Sequence, residues 1–205
     1  MMAEKAEKRH EHHGRSSKGF LDAGKVLEYI GISEGDRFLD LGSGEGYFSI
    51  AASQAVGKDG LVYAFDVDEE SIARLRNEMA DRKITNIEAS VVDIIKLLPL
   101  ANENISLVLM SNVLHGLVAD GDAEGTFKEI ARVTAHNGKF AVVEFKKQES
   151  PMGPPLSIRL SPEDVEDLAR GYGFSIESTQ EVGPYHYAIV LRKRWIMTAQ
   201  SHDER

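Results

Sequence analysis

Cysteine is absent from the 205 residues. That absence excludes a disulfide framework, thiolate-ligated zinc, iron–sulfur clusters and a cysteine nucleophile. No apolar run approaches the ~18 residues that cross a bilayer. The opening stretch to Arg15 is charged throughout and has no apolar segment of the kind that heads a secretory signal, so the cytoplasm is the expected location. Internal repeats are lacking too. What is present is a globular composition, 42% hydrophobic and 28% charged, enough for one packed domain. The 33 acidic and 24 basic residues leave −9 with neutral His. Such a surface repels phosphodiester backbones, and no nucleic-acid partner is expected.

Residues 1–20 form a polar arm with five Lys/Arg against three Glu, leaving −11 on the body from Leu21 onward. Its composition is that of a flexible segment, although it has the means to fold over a ligand. His10, His12 and His13 lie in it without supporting carboxylate or thiolate spacing, so no metal site is expected. The body at 21–193 reads as one domain and 194–205 as a polar tail. Arg192-Lys193-Arg194-Trp195 reads as a frayed end, since three cations and one Trp make no membrane-binding repeat.

Within the body, Asp22 is placed to cap a helix that carries Val26, Leu27 and Ile30 on one face and ends at Gly31. From Asp36 onward, short apolar runs alternate with helical patterns. DRFLDLG, LVYAFD, NIEASVVD, ISLVLMSN and KFAVVEFK read as strands. YFSIAASQAV, 69–82 and 122–133 read as helices. That alternation predicts βαβ units and a doubly wound, mostly parallel α/β sheet. The end breaks the rhythm. Ser161, Pro162 and Asp164 mark a capped helix start, and FSIESTQEV and YHYAIVLRK are separated only by Gly183–Pro184. So short a link holds no crossover helix, so the last two of seven strands are expected to pair antiparallel.

The informative stretch is Asp40-Leu41-Gly42-Ser43-Gly44-Glu45-Gly46, at a strand end and before a helix. Glycines there let the backbone turn sharply and approach a ligand. A dinucleotide loop is G-x-G-x-x-G; here the third glycine comes one residue early, and a carboxylate precedes the loop. That acid suits a cationic ligand better than a pyrophosphate. The pattern resembles motif I of the class I S-adenosylmethionine-dependent methyltransferases, and MSNVLHGL resembles the post-strand motif of their ubiquinone/menaquinone C-methyltransferase-like branch. The resemblance covers about residues 20–193. It implies S-adenosyl-L-methionine as cofactor, S-adenosyl-L-homocysteine as product and a Rossmann-like methyltransferase fold closed by an antiparallel hairpin.

The same resemblance assigns Asp40, Gly42, Ser43, Gly44 and Gly46 to the methionyl and ribose part of the cofactor. It gives Asp66 to the ribose hydroxyls, Val67 to the adenine face, Asp93 and Ile94 to the adenine edge, and Ser111 and Asn112 to the end of the fourth strand. On the acceptor side His115 has two readings, a general base or a His packed at the start of the next helix. Glu144, Lys146 and Tyr185 are candidate acceptor contacts. The expected function is methyl transfer to a small-molecule acceptor. Arsenite methyltransferases of similar sequence hold arsenic on cysteines, which this chain lacks. The alternatives are an NAD-dependent oxidoreductase on a similar sheet and a non-catalytic or protein-modifying binder of the same nucleoside.

Overall fold

The computed structural model describes residues 17–194. In chain order these form α1 (Ala23–Ile30), β1 (Arg37–Leu41), α2 (Tyr47–Ala55), β2 (Leu61–Asp66), α3 (Glu69–Asp81) and β3 (Ile87–Val91). β4 (Ile105–Ser111), α4 (Leu114–Asp120), α5 (Ala123–Val133) and β5 (Thr134–Phe145) follow, then a 3₁₀ turn (Leu156–Ile158), α6 (Pro162–Arg170), β6 (Phe174–Glu181) and β7 (His186–Lys193). The described strands make one seven-stranded sheet in the order β3-β2-β1-β4-β5-β7-β6. β1 to β5 pair in parallel, and β7 runs antiparallel between β5 and β6. The expected doubly wound sheet with its antiparallel hairpin is the architecture found.

Both faces of the sheet are covered, and the alternation along each strand shows why. Phe38, Val62, Ala64, Leu107, Leu109, Ala141 and Val143 pack with α1, α2 and α3. Leu39, Leu41, Tyr63, Phe65, Val108, Met110, Phe140 and Val142 pack with α4, α5 and α6. Strands buried on both faces carry apolar residues at every position, which is why β4 reads as a continuous run. Chain order reverses between β1 and β4, so the carboxyl ends of these two strands border the crevice in which open α/β sheets bind their ligands.

Local rules hold at the helix ends. Asp22 accepts from the backbone of Lys25 and α1 ends on Gly31 at φ 74°. Ser161 and Asp164 form a complete capping box ahead of Pro162. Three features depart from the expectations. α4 occupies a stretch that no helical pattern marks, and β5 begins at Thr134, five residues before the apolar run that marks it. Arg192 and Lys193 belong to β7 rather than to a frayed end. Arg192 pairs with Glu177 and Lys193 donates to the Thr134 carbonyl, while Arg194 just beyond donates to Ser175. The polar edge strand β6 supplies Glu177 and Ser175 and the start of β5 supplies Thr134, pairings that short-range composition does not display. Trp195 lies outside the described residues.

The capping box makes a clean test of α6. Ser161→Ala removes the side-chain acceptor for the Asp164 N–H and is expected to lower unfolding free energy by about 1 kcal/mol, read from urea denaturation.

Candidate functional site

Three backbone turns meet at the carboxyl edge of the sheet. The first leaves β1. Gly42, Gly44 and Gly46 take φ of 76°, 51° and 80°, a region closed to most L-residues. The Gly42 and Ser43 N–H groups both donate to the Phe65 carbonyl at the end of β2, at 2.8 and 3.0 Å, which folds the loop across the top of the sheet. The three glycines have different neighbours. A Cβ on Gly42 would lie 2.5 Å from Val113, and one on Gly46 would lie 2.4 Å from Leu75 of α3, whereas one on Gly44 would meet nothing within 4 Å. The outer two are therefore demanded by packing and the middle one borders open space.

Asp66 closes β2 and faces this loop. One carboxylate oxygen accepts from Gly44 N–H at 2.7 Å and the other from Asp68 N–H at 2.9 Å. Each oxygen retains a lone pair, so the group is still able to accept from a vicinal diol. Beside it Val67 is 52% exposed, an apolar side chain standing at the mouth. Arg74 of α3 reaches back to Glu45 at 2.8 Å and ties the loop from outside.

Asp40 lies beneath the loop. It is only 2% exposed and accepts from Ser49 of α2 at 2.6 Å. Burial pushes its carboxyl up to about 7, with the nearby Asp66 charge raising it further and the Ser49 hydrogen bond acting against both. Its carboxylate thus lies under the glycine loop, hydrogen-bonded to α2.

The second turn leaves β4. Asn112 adopts φ 57°, a left-handed position that Asn tolerates, and its N–H donates to Val143 at 2.8 Å. Its Nδ2 donates to Ser17 at 3.3 Å, and the Ser17 and Ser111 hydroxyls stand 3.5 Å apart. Ser43 Oγ and Asn112 Oδ1 are buried polar atoms without a hydrogen-bond partner. Such atoms are costly unless something answers them, and these two lie on the loops the sequence singled out. The third turn follows β3. Asp93 sits two residues beyond the strand, paired with Lys96 at 3.1 Å and accepting from Ile95 N–H, and Ile94 is buried against the core.

On the far side, α4 and β5 bring His115 and Glu144 together. The imidazole Nδ1 is 2.8 Å from one carboxylate oxygen and 3.0 Å from the other, and Glu144 is 1% exposed. Lys146 turns away to Glu181 at 2.7 Å. Tyr185 is half-buried at the hairpin tip, its carbonyl accepting from Lys146 N–H. Sequence reading missed Arg159, which is 5% exposed and makes five hydrogen bonds to the 146–154 loop: to the carbonyls of Lys146, Gln148, Met152 and Pro154 and to Ser150 Oγ. It also stacks over Phe145. Nothing in its neighbouring sequence marks it. His186 packs on the same Phe145 ring, and burial, with the Arg159 and Lys146 charges, holds it near 4 and so neutral. Between α4, the 3₁₀ turn and α6 lies a cleft of about 540 Å³ with Val118, Ile158, Leu160 and Leu168 in its walls. Among the described residues no cluster of three His, Cys, Asp or Glu is placed to hold a metal; His10, His12 and His13 lie outside them.

Two tests follow from this geometry. Gly46→Ala is expected to cost about 2–3 kcal/mol through positive φ and collision with Leu75, and Gly44→Ala only about 1 kcal/mol, both from denaturant unfolding. For Asp40 the folded value of about 7 lies above the ordinary 3.8. Below pH 4 both states hold the proton. As pH rises from 4 to 7 the unfolded chain releases it first, so stability falls across that window. Asp40→Asn is therefore expected to match the parent in Tm near pH 4 and exceed it by several degrees near pH 8.

Comparison with known proteins agrees with this layout. A family model described as a methyltransferase domain matches residues 32–185. The chain is 28% identical over 151 residues to an arsenite methyltransferase from Halobacterium salinarum, covering 74% of this chain and 37% of that one. It is 30% identical over 129 residues to the ubiquinone/menaquinone biosynthesis C-methyltransferase UbiE from Chromobacterium violaceum, covering 63% and 51%. The chain thus spans about a third and about half of the length of these two relatives. The crystal structure of a SAM-dependent methyltransferase from Aquifex aeolicus superposes with a TM-score of 0.78 at 27% identity, covering 91% of this chain and 97% of that one. The chain belongs to the methyltransferase-domain family, whose members use S-adenosylmethionine on this fold.

Proposed function

We propose that this protein transfers the methyl group of S-adenosylmethionine to a small-molecule acceptor in the cytoplasm. The observation that carries the reading is the convergence at one edge of Asp66, the open face of Gly44 and the two unanswered atoms, Ser43 Oγ and Asn112 Oδ1. A nucleoside with a vicinal diol and an amino-acid tail has the polar groups to answer them. Asp66 would hold the ribose hydroxyls and Val67 the adenine face. Asp93 and Ile94 would border the adenine edge. The loop from Gly42 to Gly46, with Ser111 and Asn112, would hold the methionyl part. Bound there, the cofactor supplies a methyl group on a positively charged sulfur, whose departure as a neutral thioether needs no acid.

The residues of the chain then have one main task, alignment. Holding nucleophile and methyl in line is worth about 7–11 kcal/mol on its own. Lys146 and Tyr185, joined through the Tyr185 carbonyl and the Lys146 N–H, would border the acceptor side. Family membership sets aside the oxidoreductase alternative. Arsenite is not the acceptor on this reading, because the chain has no cysteine to hold it.

Calorimetry with S-adenosylhomocysteine tests the proposal. The parent is expected to bind, Asp66→Ala to lose about 2–3 kcal/mol, roughly 30- to 150-fold in Kd, and Asp66→Asn to fall between. Absence of uptake by a folded parent, or stabilisation by NADH instead, overturns it.

A further inference from the structure

We propose that His115 and Glu144 act as a proton-abstracting pair, and that the acceptor therefore presents its nucleophile as a neutral O–H group rather than as an amine, thioether or carboxylate. This rests on the methyltransferase reading above and goes beyond it in naming the chemistry of the acceptor.

The geometry is specific. Glu144 accepts from the His115 backbone N–H at 3.1 Å while its two oxygens flank Nδ1 at 2.8 and 3.0 Å. An ionised carboxylate only accepts, so the ring proton sits on Nδ1 and the Nε2 lone pair is left free. The surroundings give Glu144 no other cation. Lys146 is turned to Glu181, and Arg159 spends its donors on the loop carbonyls and Ser150. Tyr187, opposite Glu144 in the β5–β7 register, gives its hydroxyl to the Leu160 carbonyl at 2.9 Å. Among the described residues, no Lys or Arg forms an ion pair with this buried carboxylate. A buried carboxylate is costly unless donors answer its oxygens, and those in reach are the His115 backbone N–H and ring N–H.

Placement agrees with use. His115 is the second residue of α4, three positions beyond Asn112, and β4 and β5 pair Ser111 with Val143, so the dyad stands at the end of the same two strands that bring Asn112 to the cofactor cradle. A neutral amine, a thioether and an ionised carboxylate each attack with a lone pair already free, and a base does nothing for them. A hydroxyl differs. As the acceptor oxygen bonds to the methyl carbon, the carbon–sulfur bond breaks and its electron pair leaves with sulfur. The hydroxyl proton passes to Nε2 of His115, and Glu144 holds the Nδ1 proton against the new imidazolium, which then releases a proton to water. His115 is the catalytic residue here and Glu144 the positioning residue.

The test has two arms, both on protein shown to bind S-adenosylhomocysteine. In the first, ¹⁵N NMR of the imidazoles at pH 8 is expected to show His115 protonated at Nδ1, and Glu144→Gln to shift the ring toward the Nε2-protonated tautomer. A His115 ring protonated at Nε2 in the parent, or unchanged in the variant, overturns the pairing. In the second, transfer of labelled methyl to 4-ethylphenol, 4-ethylaniline, 4-ethylbenzoate and thioanisole is measured. Preference for the phenol is expected, with turnover falling 10²–10⁴-fold in His115→Gln and 10–10²-fold in Glu144→Gln while affinity for S-adenosylhomocysteine stays within about twofold. Equal transfer to the amine, thioether or carboxylate, transfer to none of the four, or an unaffected His115→Gln overturns the proposal. Loss of S-adenosylhomocysteine binding by the parent overturns the earlier reading instead.

Discussion

Gly42, Gly44 and Gly46 turn the chain over the end of β1 with three positive φ values in five residues. Val113 presses on the first and Leu75 on the last, so the loop is wedged between the turn after β4 and the helix after β2. That wedge fixes the distance between the two strand ends that border the crevice. It also aims the Gly44 N–H at Asp66. Any side chain at 42 or 46 would lift the loop off its supports, and the cradle would lose its floor and its donor together. The early third glycine, which departs from a dinucleotide loop, follows from the same packing. α2 begins at Tyr47, and its cap must pass directly against Leu75.

Electrostatics under this loop is unusual for an acidic protein. Burial, with a smaller push from the Asp66 charge, leaves Asp40 holding its proton to about pH 7. A positively charged ligand above the loop would favour the ionised form, so the burial that weakens the fold at neutral pH is recovered on binding. Glu144, on the other side of the crevice, is buried as well, and its partner is the His115 ring.

Much of the glycine loop and of the strand ends beside it was legible because the determinants are local. Asp40 to Gly46 is one contiguous loop, Asp66 ends a strand whose apolar run marks it, and the capping boxes and strand alternation need no distant partner. Tyr47 shows where that legibility ends. It reads as the first residue of a helix, which it is, yet its hydroxyl also donates to Leu21 at 2.6 Å and so pins the chain that enters α1. The helix at 114–120 was missed for a related reason. Seven residues with Gly116 in the first turn and Gly121 as the cap carry little helical signal, and what holds the helix is the Glu144 contact at its start and apolar packing of Leu114.

The region around His115 and Glu144 is built the opposite way, from pairs far apart in the chain. His115 finds Glu144 29 residues later, and Lys146 finds Glu181 across the hairpin. Arg159 gathers the 146–154 loop through carbonyls, which every residue type carries and which therefore leave no trace in composition. Two readings of His115, base or packed side chain, are equally compatible with its neighbours in sequence. What the fold adds is what stands beside the ring: the side chain of Glu144, buried on β5, whose oxygens lie 2.8 and 3.0 Å from Nδ1, one of them also accepting from the His115 backbone N–H, a partner 29 residues away that the neighbouring sequence does not display.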